Sequence, residues 1–365
     1  MCLLDIIKKR HQVYNNSIHL DNTIKWLCQA QDSTCDGGVS EGYHLYHGWL
    51  PSYPETTGYI IETFFDYYKR THDDTIKNRA VRMADWLMTI QNDDGSLPDS
   101  YFRKKMVFDT GQVIFGLVRT YEETGREKYK DAAAKAGEWI IGVQEEDGTW
   151  RRHSLFEIPH AYYTRVAWSL LLLYHLTKNS KYIDSCVKNI EWAISQQREN
   201  GWFNNASFSL TNHHNPYTHT IAYTIRGILE TGMFLKDEGF ISTAIKAVDN
   251  LIKNIPENGF VHGTYNEHWK GDSSFSCLTG DAQLAIILFK VYTITKNDRY
   301  FNRATKINTY LKLKQELRVR NTNIHGAIAG SYPVWGKYLH FIYPNWACKF
   351  FADSLMLEEK IISTI

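Results

Sequence analysis

Apolar residues recur along this chain in two alternating patterns. In residues 127–144, Ala132, Ala133, Ala136, Trp139, Ile140 and Val143 fall at helical spacing with charged residues between them. That spacing predicts an amphipathic helix with one buried stripe. Residues 160–176 run apolar nearly all round, as in Val166-Ala-Trp-Ser-Leu-Leu-Leu-Leu-Tyr174, which predicts a helix enclosed by others.

Each pattern repeats. Trp26, Trp86, Trp139 and Trp192 are each followed five places later by a glutamine, Gln31, Gln91, Gln144 and Gln197. Gly95, Gly148 and Gly201 follow the last three glutamines, and Asn250-Ile255-Gly259 and Tyr310-Gln315 continue the series in weaker form. The enclosed pattern opens on polar residues at Glu55, Asp109, His160, His219, Asp281 and Asn345. Self-similarity of this kind marks a repeat-built fold. Twelve alternating helices predict an all-α (α/α)6 toroid over residues 1–365 as one domain, with an outer ring of six around an inner ring of six. An open α-solenoid is the alternative, and the enclosed character of alternate helices favours closure.

Loop lengths give the toroid a working end. Inner-to-outer links are short (124–126, 177–180, 296–298), whereas outer-to-inner links are long: about 32–54, 92–108, 145–159, 198–218, 256–280 and 317–344. The long loops must emerge around the N-termini of the inner helices, where a cavity is the expected site.

Composition narrows the function. With 41 Lys+Arg against 40 Asp+Glu in 365 residues the charge is near zero, which argues against nucleic acid as a partner. No 18-residue apolar run predicts a membrane span. The start, Met1 to His11, lacks the apolar stretch of a signal peptide, and six scattered cysteines form no CxxC pair; together these predict a cytoplasmic protein. His262-x5-His268 and His213-His214-x4-His219 lack zinc-site spacing, and no phosphate-binding loop appears, so neither metal nor cofactor is expected. Aromatic residues reach 14%. Trp49, Tyr53, Trp150, Trp202, Trp269 and Trp335 fall in the long loops, where they could stack on sugar faces or simply pack the loops.

The Trp-x4-Gln-x3-Gly spacing, clearest from Trp139 to Trp150, resembles the Gln-Trp repeat of terpenoid cyclases and protein prenyltransferases. Their Asp-x-Asp-Asp and Asp-x-Cys motifs are missing, so the resemblance implies a fold and no activity. The stretches Tyr53-Pro-Glu-Thr-Thr-Gly-Tyr59, Phe108-Asp-Thr-Gly-Gln-Val113, Tyr163-Thr-Arg-Val-Ala-Trp168, Thr218-His-Thr-Ile-Ala-Tyr-Thr-Ile-Arg226, Cys277-Leu-Thr-Gly-Asp-Ala-Gln283, Gly330-Ser-Tyr-Pro-Val-Trp-Gly336 and Tyr343-Pro-Asn-Trp346 are similar to α/α-toroid proteins of bacterial capsule and exopolysaccharide biosynthesis clusters. That resemblance implies an oligo- or polysaccharide substrate and carries over no reaction.

Two chemistries fit the helix starts. A carboxyl pair, Glu55 with Asp109 or Asp281, would hydrolyse a glycosidic bond with one member protonated and the other ionised. Alternatively His160 or His219, with Tyr163 or Tyr223, would take the C5 proton of a uronic acid while Arg165 or Arg226 holds its carboxylate, giving a lyase or an epimerase. Tyr53, Tyr59, Gln112, Gln283, Trp335, Asn345 and Trp346 complete the candidate substrate-binding residues. Each polar residue that opens a helix has a plainer reading as a cap, and the two arginines as buried partners of acids. A non-catalytic glycan-binding or assembly protein and a terpenoid cyclase are the remaining readings.

Overall fold

A computed structural model describes residues 12–99, 104–211 and 213–364. The readings made on Met1–His11, Cys2 included, lie outside the described residues. Six outer helices, α1 (Asn16–Asp32), α3 (Asp74–Ile90), α5 (Glu127–Gly142), α7 (Ser180–Ser195), α9 (Glu238–Ile252) and α11 (Asp298–Lys312), alternate with six inner ones. The inner helices are α2 (Pro54–Thr71), α4 (Val107–Thr124), α6 (Thr164–Thr177), α8 (Thr218–Leu235), α10 (Leu278–Thr295) and α12 (Asn345–Ile362). Each inner helix packs on the next, and α12 meets both α2 and α1, so both rings close into the (α/α)6 toroid.

Five inner-to-outer links are two residues long. Each inner helix ends in a left-handed residue (His72, Gly125, Lys178, Lys236 or Lys296) whose N–H returns to the carbonyl four places back. In four of the links the next residue, Asp73, Asn179, Asp237 or Asn297, caps the outer helix with its side chain.

The repeated glutamines tie the outer ring together. Gln144 Nε2 donates to the Gly148 carbonyl in its own loop (3.0 Å) and to the Ser185 carbonyl of the next outer helix (3.0 Å). Gln31, Gln91 and Gln197 do the same toward Arg79, Ala132 and Thr243. Gln315 closes the circle on the His19 carbonyl of α1 at 3.0 Å. Where the repeat carries Ile255 instead, the bond runs the other way, from Arg303 Nη1 to the Ile255 carbonyl at 2.9 Å. Gly148 shows why the repeat includes glycine: its φ is +83°, and a Cβ there would lie 2.5 Å from the Lys188 carbonyl of α7.

Short strands, unanticipated by the helical pattern, stitch the long loops. In one sheet β1 (Gly42–His44) lies between β2 (Gly48–Trp49) and β5 (Ile342–Pro344), which joins the first long loop to the last. In the other, β3 (Ser276–Cys277) pairs with β4 (Ser331–Tyr332). No helix among the described residues is long and apolar enough to cross a membrane.

Two glycines of α5 and its following loop test this account. Gly148→Ala should destabilise the protein by at least about 1–3 kcal/mol, through a strained φ and a backbone clash. Gly142→Ala, with nothing within 4 Å of the new Cβ, should be neutral or stabilising. Urea unfolding of the two variants reads the difference; equal midpoints would remove the packing role assigned to Gly148.

Candidate active site

The inner helices begin without side-chain caps: Tyr53, Met106, Tyr163, Tyr217, Cys277 and Pro344 make no capping bond. The acids lie within the first turns instead, where Asp109 and Asp281 each accept from their own backbone N–H. Glu55 and Asp109 sit in the first turns of α2 and α4, at the partially positive ends of both helices. The ring is tight at and just beyond these starts: a Cβ on Gly280, in the first turn of α10, would meet the His219 nitrogen at 2.6 Å, and one on Gly58, a turn past Glu55, the Gln112 carbonyl at 2.7 Å.

Above this constriction lies a cavity of about 300 Å³, lined by Glu41, Glu55 and Asp109 and walled by nine aromatic rings, six of them tyrosines. Tyr53 donates its hydroxyl to Glu55 Oε2 at 2.8 Å. Trp346 Nε1 donates to the Tyr338 hydroxyl at 2.9 Å, and Phe108 packs against Tyr163 and Tyr223 at 5.4 and 5.5 Å between centroids. Tyr163 accepts at its hydroxyl from the Leu155 amide (3.3 Å), which fixes the loop over one wall.

Burial drives the electrostatics, because an ionised carboxylate loses water that nothing here replaces. Glu55 is pushed up to about 7 by burial, against the pull of the Tyr53 hydroxyl and the Arg165 charge. Asp109 is held well above the usual carboxylate range by burial and then by repulsion from Glu55 and Asp99. Its Oδ2 has no hydrogen-bond partner among the described residues. The two carboxyls thus share a cavity in which burial raises both, Glu55 to about 7 and Asp109 well above the usual carboxylate range.

Sequence reasoning missed Glu41. It lies in the long loop before α2, outside any repeat, and no sequence signal singles it out. The β1–β5 pairing brings it over the cavity: its amide donates to the Pro51 carbonyl (2.8 Å), and its own carbonyl accepts from the Asn345 amide (2.9 Å). Burial and then Glu55 raise its carboxyl to about 7. Phe108, Tyr162, Phe208, Thr220 and Tyr338 are further lining residues outside the candidate set.

Other candidates lie elsewhere. Asp281 is fully buried and accepts from the Ser276 hydroxyl, away from the cavity lining. Both ring nitrogens of His160 face backbone carbonyls, Ser207 at 3.1 Å and Leu155 at 2.8 Å, so the ring is enclosed between two loops and lies off the cavity lining. His219 does line the cavity. Burial, then Arg165, lower it to about 3, so it is neutral at physiological pH. Gln283 lies below the lining with its Nε2 2.6 Å from His219 Nδ1 and 3.5 Å from the Thr279 carbonyl. An amide nitrogen that donates to both leaves the imidazole proton on Nε2.

Neither arginine reaches the cavity lining. Arg165 is buried beneath it, donating to Gln112 Oε1 at 2.6 Å and ringed by Tyr59, Phe115, Trp168, Tyr223 and Phe350 at 5.0–5.5 Å. Arg226 lines a separate, larger cavity of about 720 Å³ toward the C-terminal ends of the inner helices, where it and Lys290 pair with Glu230. Asn345 is structural, donating to the Ser40 carbonyl and Thr56 Oγ1 at 2.8 Å each. Trp335 is exposed and off the lining. Trp150, Trp202 and Trp269 are buried in loop packing, and Trp49 packs on Trp26, so of the six loop aromatics singled out in the sequence only Tyr53 lines the cavity. Among the described residues no group of three or more His, Cys, Asp or Glu side chains could hold a metal ion.

A family model described as Beta-L-arabinofuranosidase, GH127 catalytic domain, matches residues 11–188, somewhat under half of the chain, including Glu41, Glu55 and Asp109. No curated protein sequence matches. The fold is similar to solved structures. An unsaturated glucuronyl hydrolase specific for heparin has a TM-score of 0.77 at 16% identity, covering 95% of this chain and 98% of that one. The unsaturated glucuronyl hydrolase of Bacillus sp. GL1 has a TM-score of 0.75 at 14% identity, covering 94% and 97%. The cellobiose 2-epimerase of Bacillus thermoamylovorans B4167 has 0.74 at 12%, covering 96% and 98%.

The raised carboxyl of Glu41 makes a stability prediction. A carboxyl that binds its proton more tightly when folded adds stability below its unfolded value of 4.5, and that stability is lost as pH rises through about 7. Glu41→Gln should therefore melt close to wild type at pH 4.5 and higher than wild type at pH 8, by on the order of 1–3 kcal/mol. Calorimetric melts across that range check it; a gap that does not widen with pH would contradict the burial assigned to Glu41.

Proposed function

We propose that this chain is a carbohydrate-active enzyme that hydrolyses a glycosidic bond with the carboxyl pair Asp109 and Glu55. The observation that carries this reading is a pair of buried carboxyls lining one cavity, Asp109 raised well above the usual range and Glu55 to about 7, which we read as acid and base. Asp109 would give its proton to the glycosidic oxygen as the bond to the anomeric carbon breaks. Glu55, once ionised, would take a proton from the attacking water or attack the anomeric carbon itself. Tyr53 and Arg165 favour the ionised form of Glu55 and are its positioning residues.

The family match over residues 11–188 and the toroid neighbours whose names are hydrolases and an epimerase of sugars support a carbohydrate role. Six tyrosines among nine lining rings, with three carboxyls, suit a polyol better than a terpenoid hydrocarbon. The uronate lyase or epimerase reading keeps His219, Tyr163 and Tyr223 on the lining but lacks its carboxylate clamp there, since both arginines lie off it, as does His160. We place the enzyme as one toroid domain over residues 1–365 in the cytoplasm, acting on a bacterial surface polysaccharide or its precursor. The free thiols of Cys28, Cys35, Cys186, Cys277 and Cys348 support a reducing compartment.

The test is a mass-spectrometric panel of capsular and O-antigen oligosaccharides incubated with wild type, Glu55→Gln and Asp109→Asn. Cleavage with gain of one water, reduced about 10²–10⁴-fold in either variant, and rising with pH toward about 7 as Glu55 ionises, is expected. Cleavage without water uptake would sink hydrolysis. Binding without turnover by wild type would instead support a glycan-binding protein.

A further inference from the structure

The hydrolytic pair uses two of the cavity's three carboxyls and leaves Glu41 without a task. Glu41 lines the cavity, and its Oε2, buried from solvent, has no hydrogen-bond partner among the described residues. The strand pairing that carries it over α2 fixes its backbone on both sides, through Pro51 and Asn345. An acceptor held there with no donor is an incomplete hydrogen-bonding arrangement.

The surroundings define what completes it. Among the described residues lining the cavity there is no lysine or arginine. The cation beneath, Arg165, lies off the lining: its Nε donates to Gln112, aromatic rings surround it, and its buried Nη1 has no hydrogen-bond partner among the described residues. His219 supplies no positive charge, because it is neutral at physiological pH. At the pH where Glu41 and Glu55 are ionised, a sugar carboxylate entering this space would meet two carboxylates and no lysine or arginine on the lining, an arrangement that disfavours anions in a buried site. A group that brings only N–H or O–H donors would satisfy Glu41 and neutralise nothing that is needed elsewhere. The volume, about 300 Å³, fits the end of a glycan rather than a long stretch of chain.

We propose that Glu41 is the anchoring carboxylate of this cavity, accepting hydrogen bonds from hydroxyl or ammonium donors of a terminal sugar, so that the site admits neutral and amino sugars and rejects uronic acids. This rests on the cavity being the sugar site of the proposed hydrolase. It goes beyond that reading in naming the class of sugar and the residue that selects it. Glu41 touches no reacting atom in this scheme; it is a specificity residue.

Calorimetric binding of free monosaccharides separates the selection from the chemistry, because no bond is cleaved. The probes are glucose, glucosamine and glucuronate, with the matching galactose series, titrated at pH 8 into wild type and Glu41→Gln. Within a series, wild type should bind the neutral or amino sugar at least about tenfold more tightly than the uronate. Glu41→Gln should weaken the preferred sugar by about tenfold and narrow its margin over the uronate. If the anchored group is an ammonium, glucosamine or galactosamine loses most; if it is a hydroxyl pair, the neutral and amino sugars lose alike. Asp109→Asn, which removes the proposed acid, should keep the selectivity, so that a failure of hydrolysis is distinguishable from a failure of selection. Equal or tighter uronate binding by wild type, an unchanged profile in Glu41→Gln, or no binding of any neutral or amino sugar would overturn the proposal.

Discussion

Each outer helix is held to the next by a side chain that reaches across at the loop end of the ring. At five of the six junctions that side chain is a glutamine whose amide bridges its own loop and a neighbouring backbone carbonyl; at the sixth it is Arg303. These bonds fix the circumference of the outer ring. Two-residue links then leave each inner helix little freedom, so the six inner N-termini converge on one axis. The cavity and the closeness of its carboxyls follow from that convergence. A chain with the same helices but no closure would leave Glu55 and Asp109 on separate, solvated surfaces with ordinary carboxyl chemistry.

Convergence has an electrostatic consequence. Three carboxyls share one small space, and the structure treats each differently. Glu55 receives a tyrosine hydroxyl and the field of a buried arginine. Asp109 receives neither and sits beside Glu55, so its proton is held. Glu41 stands on a loop that the β1–β5 pairing swings over the opening. Division of labour between like groups thus arises from their neighbours rather than from their own chemistry, and the opposite end of the ring supplies the contrast. There Lys290 and Arg226 pair with Glu230 and, against its burial, hold that carboxyl below the usual range.

The ring of helices was legible in the sequence because its signal is periodic: Trp139, Gln144 and Gly148 recur in neighbouring repeats, and each has one packing role that every repeat needs. Glu55 and Asp109 were legible for the same reason, as polar openings of otherwise apolar helices. The same logic overreached at Asp281, whose helix start faces Ser276 instead of the cavity. It overreached again at Arg165 and Arg226, which lie far enough along their helices to fall beneath the cavity or at the other end. His160 and the loop tryptophans had two readings each because a loop's own packing, through the Ser207 and Leu155 carbonyls or the burial of Trp150, leaves no mark on a sequence pattern. Glu41 was invisible because strand pairing between residues about three hundred positions apart places it.

The central claim is that one cavity splits two carboxyls into a lasting acid and a near-neutral base. Carboxyl-carbon NMR titration of the enzyme, with Glu55→Gln and Asp109→Asn used to assign the two signals, measures that split directly. Glu55 should titrate near 7, and Asp109 should remain protonated well above the pH at which Glu55 has ionised. Two carboxyls titrating together in the ordinary carboxylate range would contradict the account, because neither would then hold a proton to give to a leaving group at neutral pH.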